Sequence, residues 1–323
     1  MFRRYVWTGL TLALGIFFLV FFFHQVEAEA LWDSLVQANY LLALPAIAAY
    51  FVGVWFRVLR WRLLLVPLVK VGPQRLFPPL CISFALNNIL PGRVGLVARA
   101  YLVGQKEGIS KLASGTTVVL DQVFDGVALT FMVLVISLAV PLTGWARSIT
   151  SLAIFLWGGF SLLFFLAVFA SDIPRRLARL FLRRHWRERA EEWLNLSLTG
   201  AAALRNPVSL ALILFFSVLV WLSEAAAFYF VALAFHLQLP YYVLILAVAI
   251  ANLALALPSL PGGVGPYEFF GRQILTSFGV NEAMATSYVG VLHLVILVPI
   301  TVLGLGLLWW HRWSITRVSR GGP

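Results

Sequence analysis

Apolar residues fall in long blocks, separated by short stretches that carry most of the charge. Val6 to Phe23 and Leu239 to Pro261 contain no charged residue. Blocks of that length are read as segments solvated by lipid. A window of about 19 residues predicts six spanning helices, near 5–24, 39–57, 112–140, 150–170, 207–235 and 283–310. Two further apolar regions, 76–104 and 241–278, are each broken in the middle by Pro-Gly. The expected fold is an all-α polytopic membrane protein of about six spanning helices plus two re-entrant broken-helix hairpins in inverted repeats. The chain reads as a single transmembrane domain over 1–323. Repeat one covers about 39–140 and repeat two about 207–310, joined by an Arg-rich amphipathic segment at 171–206.

Composition agrees. Of 323 residues, 61% are hydrophobic and 11% charged, whereas soluble domains are about half apolar and about a quarter charged. The net charge of +11 does not point to nucleic acid, because the basic residues lie between apolar spans and form no stripe on a charged surface. The lone Cys81 excludes a disulfide framework and a Cys-based metal site. His24, His185, His236, His293 and His311 lie in separate segments with no metal-binding spacing. Hence no cofactor, metal site or catalytic residue is expected. Outside the apolar runs no stretch exceeds about forty residues, too short for a soluble catalytic domain.

Charge sorts the loops. Arg3 and Arg4 precede the first helix, and the loop after it carries only Glu27, Glu29 and Asp33. Arg57, Arg60, Arg62, Lys70 and Arg75 are taken to follow the second helix. Lys106 and Lys111 follow the first broken region, eight basic residues lie between Arg175 and Arg205, and Arg312, Arg317 and Arg320 close the chain. Placing these groups in the cytoplasm puts 20 of the 24 basic residues inside, with Arg147 outside. Both termini are then cytoplasmic, in a multi-pass protein of the plasma membrane. The 76–104 region would enter and leave on the inner side and 241–278 on the outer. A signal peptide would also explain the start, up to Ala28-Glu29-Ala30, but 18 apolar residues is long for a signal core, so a retained helix is expected. Residues 174–194, with dense Arg among Leu177, Leu180, Phe181, Trp186 and Trp193, read as a helix along the anionic inner leaflet. Membrane lipids are the expected partners. A homo-oligomer, and a cytoplasmic enzyme recruited through 174–194, are left open.

The two breaks are near copies. Leu90-Pro91-Gly92-Arg93-Val94-Gly95 and Leu260-Pro261-Gly262-Gly263-Val264-Gly265 share five of six positions, 170 residues apart. Each leads through an amphipathic stretch to Gly108-Ile109 or Gly279-Val280 and then to a long helix. Inverted repeats with interrupted helices are the architecture of transporters that bind substrate near the midplane. Backbone groups left unpaired by a Pro-Gly break must be satisfied by protein, water or ligand. The half-helix after a break would offer free N–H groups and a positive dipole end to an anion.

Charges inside the apolar regions carry the candidate chemistry. Arg93 lies in the first break and Arg99 about two turns on. Asp121 and Asp125 are spaced i, i+4, as are Glu268 and Arg272, with Glu224 and His293 on neighbouring helices. Each ionised group costs about 2.5–3.5 kcal/mol to insert, so these should pair or face water. Arg93 and Arg272, with Arg99, Asn88, Gly92, Gly262 and Gly263, are the candidates for holding a phosphate-bearing headgroup. Asp121, Asp125, Glu268 and Glu224 would orient the arginines or carry a coupling proton; interhelical ion pairs that only fix packing are the alternative. Asn87 and Asn88 also suit loosened backbone.

Asn87 through Gly95 with Arg99, then Asp121 and Asp125, then Leu260 through Gly265 with Glu268, resemble the flippase-like membrane domain family. This is the transmembrane part of bacterial lysylphosphatidylglycerol synthases, the multiple peptide resistance factors. The resemblance implies movement of aminoacylated phospholipids between leaflets, a separate soluble domain making them. The chain is similar to the stand-alone members, for which polyprenyl-linked sugars or other lipids are considered as cargo. The chain departs from the family pattern at Leu96, where a Glu is frequent, and at Asp121-Gln122, where an acidic-Arg pair is frequent.

Three function classes remain open. A lipid flippase or transporter of an anionic or phosphate-bearing lipid is preferred. A membrane-embedded polyprenyl-phosphate-processing enzyme would need a nucleophile beside a phosphate-binding Arg, and neither break offers one. A non-transporting scaffold is the third.

Overall fold

In the computed structural model, residues 2–24, 26–169 and 202–311 are described; the Arg-rich 174–194 stretch lies outside them. Among the described residues every regular element is helical. In chain order they are α1 (Phe2–Phe23), α2 (Ala28–Val36), α3 (Ala43–Leu65), α4 (Pro73–Ile89), α5 (Val94–Lys106) and α6 (Lys111–Ala139). There follow α7 (Gly144–Ala153) and α8 (Gly159–Phe169), continuous through a π-helical segment at Ile154–Gly158. Then come α9 (Pro207–Ala234), α10 (Tyr241–Leu253), α11 (Pro266–Ser277) and α12 (Glu282–Trp310).

The chain is therefore an all-α polytopic membrane protein. Among the described residues, five helical stretches are long and apolar enough to cross a bilayer: Tyr40–Leu65, Lys111–Ala139, Gly144–Leu166, Pro207–Ala234 and Glu282–Trp310. The expected first span is matched by α1, after which the chain turns through 81° into α2, a helix that the acidic residues there did not suggest. Local sequence explains the starts. Ser110, Asn206 and Asn281 accept hydrogen bonds from the first free N–H groups of α6, α9 and α12, and Pro207 occupies a first-turn position where a missing N–H is harmless.

One boundary changes the chemistry. The second helix does not end near 57 but runs on to Leu65. Arg57 and Arg60 are thus buried helix residues, not loop residues that report on sidedness. They share a face with Tyr50, Gly53, Val54, Trp61 and Leu64, all buried at three- and four-residue spacing.

The broken regions behave differently from the long spans. α4, α5, α10 and α11 have 17, 13, 13 and 12 residues, short of the roughly 20 a crossing helix needs. α4 packs on α5 across the first break and α10 on α11 across the second. Each pair also packs across the halves. α3 lies along α9, α4 sits on α12, and α10 sits on α6. Exchanging the two halves leaves these packing partners unchanged.

Missing side chains let backbones meet, as membrane helix packing favours. A Cβ on Gly95 would lie 1.9 Å from the Ser83 carbonyl oxygen, and one on Gly15 would lie 2.8 Å from the Leu260 nitrogen, so α1 rests on the second break. At the α4–α12 contact a Cβ on Gly304 would lie 2.3 Å from the Cys81 carbonyl oxygen, whereas Gly306 has open space around it. Gly304→Ala is therefore expected to destabilise by about 1–3 kcal/mol, and Gly306→Ala to leave stability unchanged. Melting of the two purified variants against the parent checks this.

Candidate functional site

The two Pro-Gly turns come together. Leu90 to Arg93 and Leu260 to Gly263 line the same cavity of about 440 Å³, which also reaches α3, α6, α9 and α12. An added Cβ on Gly262 would stand 3.5 Å from the Asn88 carbonyl oxygen, so the turns nearly touch. Their backbones demand glycine: Gly92, Gly262, Gly263 and Gly265 have φ of 79°, 77°, 83° and 107°. Arg93 is also left-handed, at φ 54°, a strained conformation for a residue with a Cβ. Its guanidinium crosses the cavity to donate to the Leu255 carbonyl (2.6 Å), just past the end of α10.

Behind one wall lies a chain of ion pairs. Asp121 receives Arg60 Nε (2.7 Å) and Arg99 Nη1 (2.7 Å). Asp125 receives Arg57 Nη1 (2.6 Å) and Arg60 Nη2 (3.0 Å), and Arg57 Nη2 lies 3.7 Å from Glu224. Arg60 also donates to the Ser217 hydroxyl, and Asn252 to Glu224 (2.7 Å). Aromatic faces cover the cations: Arg99 lies 3.6 Å from the centroid of a Trp61 ring and Arg57 4.6 Å from Trp221. Three arginines thus face three carboxylates in helices α3, α5, α6 and α9, which removes the net charge that hydrocarbon penalises.

A second cluster sits on the other wall. Glu268 Oε2 accepts from the Gly265 N–H (2.7 Å), and Glu268 Oε1 meets His293 Nδ1 at 2.5 Å. His293 Nε2 reaches the Gly262 carbonyl oxygen at 3.1 Å, with Tyr267 stacked on the imidazole.

The structure separates the expected site residues into three groups. Arg93, Asn88, Gly92, Gly262 and Gly263 line the cavity, as do Asp125 and Glu224. Arg99 does not: it is 1% exposed and held by Asp121, so no ligand reaches it, and Asp121 is equally enclosed. Arg272 lies away from the cavity, donating to the Phe22 and His24 carbonyls that close the end of α1. It neutralises a helix C-terminus and is not paired with Arg93. Glu268 holds the second break through Gly265 and His293. Nor do the half-helices offer free N–H groups at Gly95 and Gly265. Asn87 Oδ1 accepts from Gly95 N–H (2.8 Å) and Glu268 from Gly265 N–H; Asn88 donates to Thr301 on α12.

Arg57 and Arg60 were missed because the first Arg ends a hydropathy window. Their signal was periodicity: carried on at helical spacing past residue 57, the buried face of α3 includes both. Trp221, Asn252 and Ser217 gave no signal, since each is an ordinary residue of an apolar helix.

Fold and site together define a polytopic membrane protein with a charged, two-turn cavity among its helices. The chain belongs to the lysylphosphatidylglycerol synthase TM region family, whose sequence model matches residues 6–304. It is similar to two proteins of Methanothermobacter thermautotrophicus (strain Delta H), each named UPF0104 membrane protein. One is 25% identical over 309 residues, covering 88% of this chain and 89% of its own. The other is 27% identical over 317 residues, covering 89% of this chain and 88% of its own.

Removing one partner of a buried ion pair leaves a bare charge and costs about 3–5 kcal/mol. Arg60→Ala is expected to show that loss, because it leaves three buried carboxylates facing two arginines. Arg62→Ala, on the exposed side of the same helix, should stay within about 0.5 kcal/mol of the parent. Denaturant unfolding in micelles compares them.

Proposed function

We propose that this protein moves an anionic or phosphate-bearing lipid, a phospholipid or a polyprenyl-linked one, between the leaflets of the cell membrane. The observation that carries this reading is Arg93. It lines the cavity and, among the described residues, has no carboxylate partner, whereas Arg57, Arg60 and Arg99 are all paired. A guanidinium with donors to spare suits phosphate oxygens.

The shape supports a lipid over a soluble anion. Val119 and Phe160 line the cavity and are 54% and 50% exposed, so large apolar side chains stand open along it. A headgroup there keeps its acyl chains in hydrocarbon. The family's name, which speaks of lysylphosphatidylglycerol, points to a phospholipid of that kind. The half-for-half exchange of packing partners supports inverted repeats, with the two hairpins re-entering from opposite faces and meeting at the cavity. The excess of Lys and Arg outside the spans supports cytoplasmic termini.

Vesicles of phosphatidylcholine containing a trace of fluorescently tagged phosphatidylglycerol test this, with quenching of outer-leaflet dye as readout. Wild-type protein should accelerate exchange, and Arg93→Ala should lower the rate about tenfold or more, the loss expected for one charge-assisted hydrogen bond. Arg93→Lys should recover part of it. An Arg93→Ala rate equal to wild type, in a variant that melts like the parent, overturns the headgroup role.

A further inference from the structure

Proton counting at the second break leads beyond a place for a headgroup. The Gly262 carbonyl oxygen can only accept, so His293 Nε2 must carry a hydrogen. At 2.5 Å, His293 Nδ1 and Glu268 Oε1 must share another, because two bare lone pairs would repel at that distance. Whether that hydrogen sits on nitrogen or on oxygen, the pair holds one proton more than a neutral imidazole and a free carboxylate. Both partners are buried, at 8% and 6% exposure, and His293 borders the cavity.

The same pair grips both ends of the glycine turn. Gly262 hangs from His293 through its carbonyl, and Gly265 hangs from Glu268 through its N–H. The intervening backbone is left-handed at Gly262 and Gly263; these contacts and the Leu260 bonds to Gly263 and Val264 are its polar ties, and Gly15, Asn88, Leu255 and Leu297 pack around it. Remove the shared proton and one contact must fail. If Nε2 keeps its hydrogen, Nδ1 and the carboxylate repel; if the hydrogen moves to Nδ1, the Gly262 carbonyl loses its donor.

We propose that His293 and Glu268 form a binding site for a single proton that clamps the second Pro-Gly turn against the cavity, and that releasing the proton to cavity water frees the turn. His293 borders the cavity that Tyr50 and Arg57 on α3, Asp125 on α6, Glu224 on α9, Asn252 on α10, Tyr267 on α11 and Arg93 from the first break also line, and Tyr267 stacks on its ring. Glu224 is engaged by Asn252 and lies near Arg57, whereas the His293–Glu268 pair holds the two ends of the turn. Coupling this proton to lipid movement rests on the translocation reading above; the proton site does not.

Ser259 lines the cavity just before the turn, and the one native cysteine, Cys81, is fully buried. In a Cys81→Ala, Ser259→Cys protein, maleimide labelling is measured from about pH 5 to about pH 9. Rates are taken relative to the same protein unfolded in SDS at each pH. With the pair intact, labelling should rise on the order of tenfold as pH rises, the population change that follows loss of one charge-assisted hydrogen bond. Glu268→Gln can donate permanently to Nδ1 and should label slowly at every pH, whereas His293→Ala should label fast at every pH. A flat profile with the pair intact, or a Glu268→Gln profile that still follows pH, overturns the proposal. The tagged-lipid assay on the same proteins separates the two readings. If lipid exchange is absent while labelling follows pH, the lipid reading fails and the proton site stands; if exchange persists while labelling is flat, the reverse holds.

Discussion

Everything in this protein turns on the intolerance of hydrocarbon for unpaired polarity. A charge or an unsatisfied backbone group costs several kilocalories per mole there, and the chain places both in its apolar regions. Arg57, Arg60 and Arg99 meet Asp121, Asp125 and Glu224 in a neutral set. That set ties helices from both halves, so the core cannot shear without exposing a charge. The backbone defects are answered in the same way: Asn87 closes Gly95 N–H, Glu268 closes Gly265 N–H, and Arg272 closes the carbonyl end of α1.

Against these paired charges and closed breaks, what is left over beside the cavity carries meaning. Arg93 holds a strained backbone conformation and meets only a carbonyl oxygen. Tyr267 Oη and Trp221 Nε1 are buried without a partner among the described residues, and both border the cavity. Spare donors grouped around one space are what a ligand with several acceptor oxygens would complete. The same constraint separates the two walls. On the α3–α6 wall, arginine and carboxylate are locked in mutual contact. On the wall formed by the second break, the contacts run through a histidine, whose hydrogen count can change.

Much of the fold was legible in the sequence, because hydropathy over a window is a local quantity. The long helices after α3 lie within a few residues of their expected places, except that the fourth begins at Gly144 and carries a π-helical segment no periodicity suggested. Both Pro-Gly breaks interrupt helices where expected. Errors arose where a local rule met a distant partner. Arg57 and Arg60 looked like the end of a helix because arginine is costly in lipid, but Asp121 and Asp125, more than sixty positions away, remove that cost. Arg272 was expected beside Arg93 because it follows the second break at i, i+4 from Glu268, yet α1 claims it.

The chain's own order of residues thus determined that it lives in a bilayer, where its helices run and where they break, since lipid solvation and the conformational demands of proline and glycine act on neighbouring residues. Tertiary structure alone decided which arginines are spoken for, which one faces the cavity, and that His293 and Glu268 close on the same turn. Those outcomes depend on which helix faces align at distances of 25 to more than 200 residues along the chain, and pairing of that kind leaves no trace in any window.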